Sequence, residues 1–472
     1  QAGDTVYVRG GVYNEHPDTY SGGEAIIPLN RYSSISGDPD NPITYKPYPG
    51  EIVIIDPEYT SDGIQLQGEH IKGIVIEGFE IRNSWFSGIR LEDNSSFITI
   101  RNNHIYDTDG SLGGNIGGIR MNSAHDVLIE NNVLHDNYIR EEKDNNNGAN
   151  VFIFSGTTNI HVKNNEMYNS KHGLFYKHSG YGSSLFENNY LHDLWGNGFM
   201  IASDNVVMKN NLIARIDSSA FDIHEEAGCA DCSRNNQILN NTIYDVVYPY
   251  VLNRGSDRPG AIGTLIKNNI FSGHDRDPSI WQYGSNDDFI NNTADLHASY
   301  NLFSKSDLRF NYFSSDTFGD LGDAYDLAQF QALGHELNSF IGDPSFVNDS
   351  GEYTDISDFE LAETSVALGA GEGGVDMGAD VSLLATNIQI VDELEEEIVI
   401  RADVNQDLQI NIKDSFLTLR NYLGNSMNIT AWQSSDTTGD VNCDGVSDFS
   451  DVLLLLKYSL GFGIDDTAWC EN

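Results

Sequence analysis

Positive charge is scarce in this sequence. Its 472 residues include 26 Lys and Arg against 71 Asp and Glu, a formal charge of −45. Nucleic acid and anionic membrane surfaces are thereby excluded as general partners, since both would be repelled. The excess of carboxylates fits a protein that lives in salt or carries several calcium ions. Long apolar runs are absent as well, so no membrane span is expected. No leader precedes Gln1-Ala2-Gly3-Asp4, which reads as a secreted chain whose leader has been removed or omitted. Cysteine is limited to four residues, in the local pairs Cys229/Cys232 and Cys443/Cys470. Such pairs suggest disulfides in an oxidising compartment, with free buried thiols as the alternative. What the chain does have is 39% hydrophobic and 11% aromatic residues, enough for a core, and 45 glycines for many turns.

A short apolar strand followed by two asparagines, or by a close variant, recurs down the chain. The second asparagines are Asn103, Asn132, Asn165, Asn189, Asn211, Asn241 and Asn269, spaced 22 to 33 residues apart. Each unit alternates with period two and none shows helical periodicity, so the units are strands. A fixed motif at this period predicts stacked coils, with the paired asparagines forming a turn ladder between rungs. The stretch GDTVYVRGGVYNE and the later NPITYKPYPGEIVIID resemble the first coils of bacterial parallel β-helix proteins, particularly polysaccharide lyases of families nine and six. Residues 343–380 resemble the usual end of such domains. The resemblance implies an all-β, right-handed parallel β-helix over residues 1–380. A short flanking helix is expected over 326–339, and an acidic linker, DELEEE included, over 381–400.

Each asparagine strand is preceded by a second strand. Alternation points Ile89, Leu91, Ile119, Met121, Val151, Ile153, Leu174, Tyr176, Phe199, Ile201, Phe221 and Ile223 inward. One outward column then reads Arg90, Arg120, Phe152, Phe175, Met200, Asp222, Leu252, Trp281. The next reads Glu92, Asn122, Phe154, Lys177, Ala202, His224, Arg254, Tyr283. Together with His178, this stripe is the expected polysaccharide-binding groove. Solvent-facing aromatics stack on sugars, and arginine or lysine binds carboxylate or sulfate. The competing expectation is that loops such as 107–117 or 137–148 cover the stripe. Glu141, Glu142 and Asp144 in the second loop read as a solvated charged loop, with a further calcium site as the alternative.

The resemblance to β-helix lyases implies a lysine or arginine that removes the proton beside a uronate carboxylate. Lys177, in mid-stripe, is the candidate base, or else it simply binds an anionic sugar. Asp222, His224 and Glu226 form a rival set. Alternation places them two residues apart on one side, so Asp222 with Glu226 or Glu225 offers the acid and base of an inverting hydrolase. Cys229 and Cys232 beside it read as a small disulfide loop shaping the groove rather than a zinc site. Three functions are therefore carried forward. The first is an endo-acting lyase on an anionic, uronate polysaccharide. The second is a glycoside hydrolase on a galactan or sulfated galactan, and the third a non-catalytic, carbohydrate-binding β-helix. A monomer is expected.

The last seventy residues follow another pattern. Asp403, Asn405, Asp407, Gln409, Asn411 and Asp414 occupy positions 1, 3, 5, 7, 9 and 12 of a calcium loop. Asp440, Asn442, Asp444, Val446, Asp448 and Asp451 repeat it. Oxygen ligands at this spacing wrap once around a hard cation, and each loop runs into an apolar helix, 416–423 and 452–460. Aspartate at position 12, in tandem, resembles a type I dockerin. That implies a calcium-binding module over 401–472 that docks to a cohesin on a scaffold or cell surface. The alternative is a calcium-stapled cap without a partner. A Cys443–Cys470 disulfide would staple its second half.

Overall fold

The computed structural model describes residues 1–15, 25–30, 35–110, 115–140, 148–179, 182–224, 233–254, 261–283, 296–315, 324–348, 353, 355–384, 412–423, 441–442, 446 and 448–460. The chain divides into two compact units, 1–390 and 391–472. All four cysteines, Glu225, Glu226 and the 141–147 loop lie outside the described residues.

In the first unit, parallel strands stack rung on rung in three faces. The first face carries the strands that lead into the asparagine pairs, from Thr5–Val8 to His297–Ser299, paired in chain order. The second is built of short strands such as His104–Tyr106, Val133–His135 and Glu166–Tyr168. The third carries Ser87–Glu92, Gly117–Asn122, Ala149–Phe154, His172–Ser179 and Phe199–Ser203. Strands Leu212–His224 and Thr242–Arg254 bend from the second face into the third without a break, fusing the two into one sheet.

The inward positions of the third face all lie in one apolar core and are 0–1% exposed. A single rung has too few apolar side chains to bury itself. Stacking closes the core, and Phe186, Phe199 and Phe221 lie in near-parallel stacks at 6.0 and 5.7 Å.

The asparagine pairs divide their labour. The first member is left-handed, with φ of 50–58° at Asn102, Asn131, Asn164, Asn188, Asn210, Asn240 and Asn268. Asparagine tolerates that conformation better than most residues. The second member turns into the corner and is buried. Its side-chain oxygen accepts from both the backbone N–H and the amide of the preceding rung's asparagine, as in Asn132 to Asn165 at 2.9 and 3.0 Å. The ladder runs from Asn103 to Asn301. At its end Asn301 donates to Ser339 Oγ at 2.9 Å and to Glu336 Oε2 at 2.8 Å. Glu336 is fully buried, and burial pushes its carboxyl up to about 7.

On the outer side of the first face, Glu77, Arg101, Glu130, Lys163, Glu187 and Lys209 stack in register with alternating sign. Arg101 pairs with Glu77 at 2.7 Å, Lys163 with Glu130 at 3.0 Å and Lys209 with Glu187 at 2.9 Å. Three of the 26 basic residues are used here.

The flanking helix is shorter than expected. Leu327–Ala332 is helical, with Asp326 and Gln329 forming a capping box. Gly334, at φ 93°, follows its end, and His335 and Glu336 turn toward the core. Phe330 stacks on Phe310 at 4.3 Å and closes the apolar column. The described residues between 343 and 384 do not add a coil. They lie as a strap across the outer side of the second face, burying Phe346, Phe359, Met377, Val381 and Leu384 against Tyr190, Leu212, Ile270 and Leu302. The packed body therefore runs past residue 380.

In the second unit, helices Ile412–Tyr422 and Phe449–Ser459 start a few residues before their expected positions. Asp448 caps the latter through a reciprocal capping box with Asp451.

Candidate active site

The outward side of the third face falls into three zones. The first is a paired polar network. Arg90 Nε stands 2.9 Å from Asp62 and 3.8 Å from Glu92, and Arg120 pairs with Glu92 at 2.9 Å. Arg120 also donates to the Asn115 carbonyl at 3.2 Å, lies 4.6 Å over the Phe86 ring and is only 8% exposed. Burial raises the Asp62 carboxyl to about 6 against the pull of Arg90. The arginines expected to meet an anionic sugar are thus engaged by the chain's own carboxylates. Asn122 stacks in register with Glu92 and remains half-buried.

The second zone corrects the expectation of an exposed aromatic stripe. Phe152 and Phe175 do point away from the core. Yet they are 0% and 1% exposed, packed edge to face at 5.2 Å with Phe154 and Met200 beside them. Alternation gave their direction correctly. Buried to this degree, they are not available to stack on sugars. Phe154 stays half-buried.

The third zone gathers the catalytic candidates. Lys177 is half-buried, and its Nζ lies 5.4 Å from the centroid of the Phe175 ring. The His224 imidazole, two rungs on, lies 6.3 Å from the same ring. Asp222 Oδ1 is 3.4 Å from His224 Nδ1. Asn197 reaches Asp222 Oδ2 at 3.4 Å, accepts from Ser219 Oγ at 2.8 Å, and donates its backbone N–H to His172 Nδ1 at 3.0 Å. Burial pushes His172 down to about 3, so it stays neutral.

Beyond His224 the register differs from the expected columns. Asp222 is followed by Val251 and Ser279, and His224 by Asn253 and Trp281. Leu252 is inside the core. Trp281 therefore stands in the His224 column, Arg254 pairs with Gln282, and Tyr283 lies beyond. The side chains of His178, Arg254, Trp281 and Tyr283 lie outside the described residues.

The repeat pattern missed the corner between the second and third faces. Trp85 and Phe86 stand there, with Tyr138 edge-on to Trp195 at 4.6 Å and Arg276 bonded to Tyr248 OH at 2.9 Å. Trp85, Phe86, Tyr138, Trp195 and Tyr248 are all half-buried. Their only sequence signal is aromatics in the segments that join second-face to third-face strands.

Several solved structures resemble this one. The pectate lyase Pel9A aligns at TM-score 0.49 and 16% identity, over 80% of this chain and 87% of that one. A mannuronic acid specific polysaccharide family 6 lyase from human gut microbiota aligns at 0.39 and 10%, over 76% and 85%. The family 6 polysaccharide lyase Pedsa3628 from Pseudopedobacter saltans aligns at 0.40 and 13%, over 76% and 91%. No curated protein sequence matches the chain. The family model described as the right handed beta helix region matches residues 50–183 and 117–294. Together these spans exceed half the chain and coincide with the asparagine ladder and the third-face stripe, and the protein belongs to the right-handed β-helix family.

Proposed function

We propose that the chain is a secreted polysaccharide lyase that cleaves a uronate-containing glycan by β-elimination in the third-face groove. The observation that carries this reading is the gathering of Lys177 and His224 around the Phe175 ring, from strands two rungs apart. In this reading Lys177 Nζ takes the proton beside the uronate carboxylate. The bond to the leaving glycosidic oxygen breaks, a double bond forms in the sugar, and His224 protonates that oxygen or holds the ring. Asn197 and Asp222 orient the imidazole.

Lys177→Ala should lose on the order of 10²–10⁴ in turnover while still binding polymer. Lys177→Arg should not restore it, because a guanidinium stays protonated. Products should carry an ultraviolet-absorbing unsaturated end, and saturated products would reject the reading. The rival hydrolase makes the opposite forecast: saturated products, Asp222→Asn inactive and Lys177→Ala mildly affected. Its glutamates, Glu225 and Glu226, lie outside the described residues.

The same reading takes residues 401–472 as a calcium module docking to a cohesin-type scaffold. Support comes from Asp414 and Asp451, both buried in the first turns of their helices. The Asp451 carboxylate draws in the backbone N–H groups of Val441, Asn442 and Asp448 at 2.9, 3.2 and 2.8 Å, closing the loop on its twelfth position. Asp403, Asn405, Asp407, Gln409, Asn411, Asp440 and Asp444 lie outside the described residues.

A further inference from the structure

The lyase reading leaves open how densely charged the glycan is, and the groove's own electrostatics bear on that. A homopolyuronate carries one carboxylate on every sugar. Rungs stack at about 4.8 Å, so a polymer laid along the axis presents charge to rung after rung. The described stripe does not answer with cations. Arg90 and Arg120 are matched by Asp62 and Glu92, at 2.9 Å each. The next rung offers Phe152 and Phe154, and the rung after Lys177 offers Met200 and Ala202. Two rungs after the Lys177 strand stands a third carboxylate, Asp222. Among the described residues, two arginines face three carboxylates, Lys177 being uncharged when it acts as the base, in a chain of formal charge −45. A dense polyanion meets no net attraction here and general repulsion from the rest of the molecule.

From this lack of net positive charge we propose that the groove selects a heteroglycan in which single uronates are separated by uncharged sugars, with one uronate placed beside Lys177. The Arg90–Glu92–Arg120 zone then acts as a neutral hydrogen-bonding subsite. Its donors and acceptors suit hydroxyl groups, and its charges are satisfied internally. The proposal rests on the lyase reading for the role of Lys177, but it is tested by binding, which does not depend on the reaction.

The experiment compares retention of the full chain in native gels containing either polygalacturonate or a glycan with strictly alternating uronate and neutral sugars, at equal sugar content, with and without calcium. Wild type should bind the alternating glycan at least about tenfold more tightly in both buffers. Glu92→Gln removes the carboxylate that holds Arg120 and should narrow that ratio severalfold by strengthening retention on polygalacturonate. Equal or tighter binding of polygalacturonate by wild type would overturn the inference, whether or not Glu92→Gln folds. So would an unchanged ratio in a Glu92→Gln protein that melts like wild type. Saturated reaction products would remove the lyase reading alone, and the binding ratio would still decide this one.

Discussion

Asn165→Ala should be among the most damaging single changes in the β-helix. Asn165 is fully buried within the ladder, with asparagines on both sides. Its Oδ1 accepts from Asn132 N and Nδ2 at 2.9 and 3.0 Å. Its Nδ2 reaches Ile129 O, Lys163 O and Asn189 Oδ1 at 3.0, 2.9 and 3.0 Å. Truncation removes all five bonds. Asn189 Oδ1 keeps its bond from Asn165 N, and the Asn132 amide keeps Ile100 O and Glu130 O. The buried Asn132 N–H loses its ladder acceptor, at a cost of roughly 1–3 kcal/mol, and each other lost bond adds about 0.5–1.5. Allowing for the bonds that survive, the loss should be about 3–5 kcal/mol, in the range reserved for specific structural failures. Urea unfolding followed by circular dichroism, with the slope unchanged, measures it. Asn164→Gly is the matched control. Asn164 sits at φ 54°, which glycine adopts freely, so its loss should stay within about 0.5 kcal/mol. If Asn165→Ala loses no more than Asn164→Gly, the ladder contributes geometry without stability and the reasoning fails.

Glu336 supplies a pH dependence. Its folded carboxyl lies at about 7, above its ordinary 4.5, so the folded state holds a proton that the unfolded chain releases. The contribution is full below the unfolded value and disappears as pH rises through about 7, worth roughly 3 kcal/mol over that window. Glu336→Gln should melt with a flatter pH profile than wild type between about pH 5 and 8, and parallel profiles would refute the assignment. Phe152→Ala should cost roughly 3–5 kcal/mol of stability and the half-buried Phe154→Ala clearly less; a Phe152→Ala protein that melts like wild type would place Phe152 in solvent after all. Chelating calcium should lower a separate melting transition of residues 401–472 and spare the β-helix, because ligand carboxylates repel one another without the ion. A single chelator-insensitive transition would reject the calcium module.

The interior of the β-helix was legible because period-two alternation within each unit is a local property. Every inward residue named from Ile89 to Ile223 lies in the core. The register after His224 was not. Tyr250 faces inward, opposite Phe221, and is fully buried with its hydroxyl toward Glu336. A tyrosine gives no sign that it is a core residue; one slip at Tyr250 moved Leu252 into the wrong column, and a second slip at Ser279 moved Trp281. Burial of Phe152 and Phe175 was also hidden, since alternation gives a direction and not what lies above. The arginine pairs were within reach. Glu92 already stood one column over from Arg90 and Arg120, and stacked neighbours of opposite charge attract. The corner aromatics escaped because they sit in joining segments that carry no period.

The alternating charges on the first face impose a rule of parity on how this solenoid can change length. From Glu77 to Lys209 each rung presents the sign opposite to its neighbours. Excising the rung of Lys163 would set Glu130 directly against Glu187, and duplicating it would set lysine on lysine. Removing or copying two consecutive rungs leaves every junction attractive. Growth and loss within this stretch are therefore favoured in twos, so that a seam of like charge in a homologous chain would mark the place where a single rung had been gained or lost.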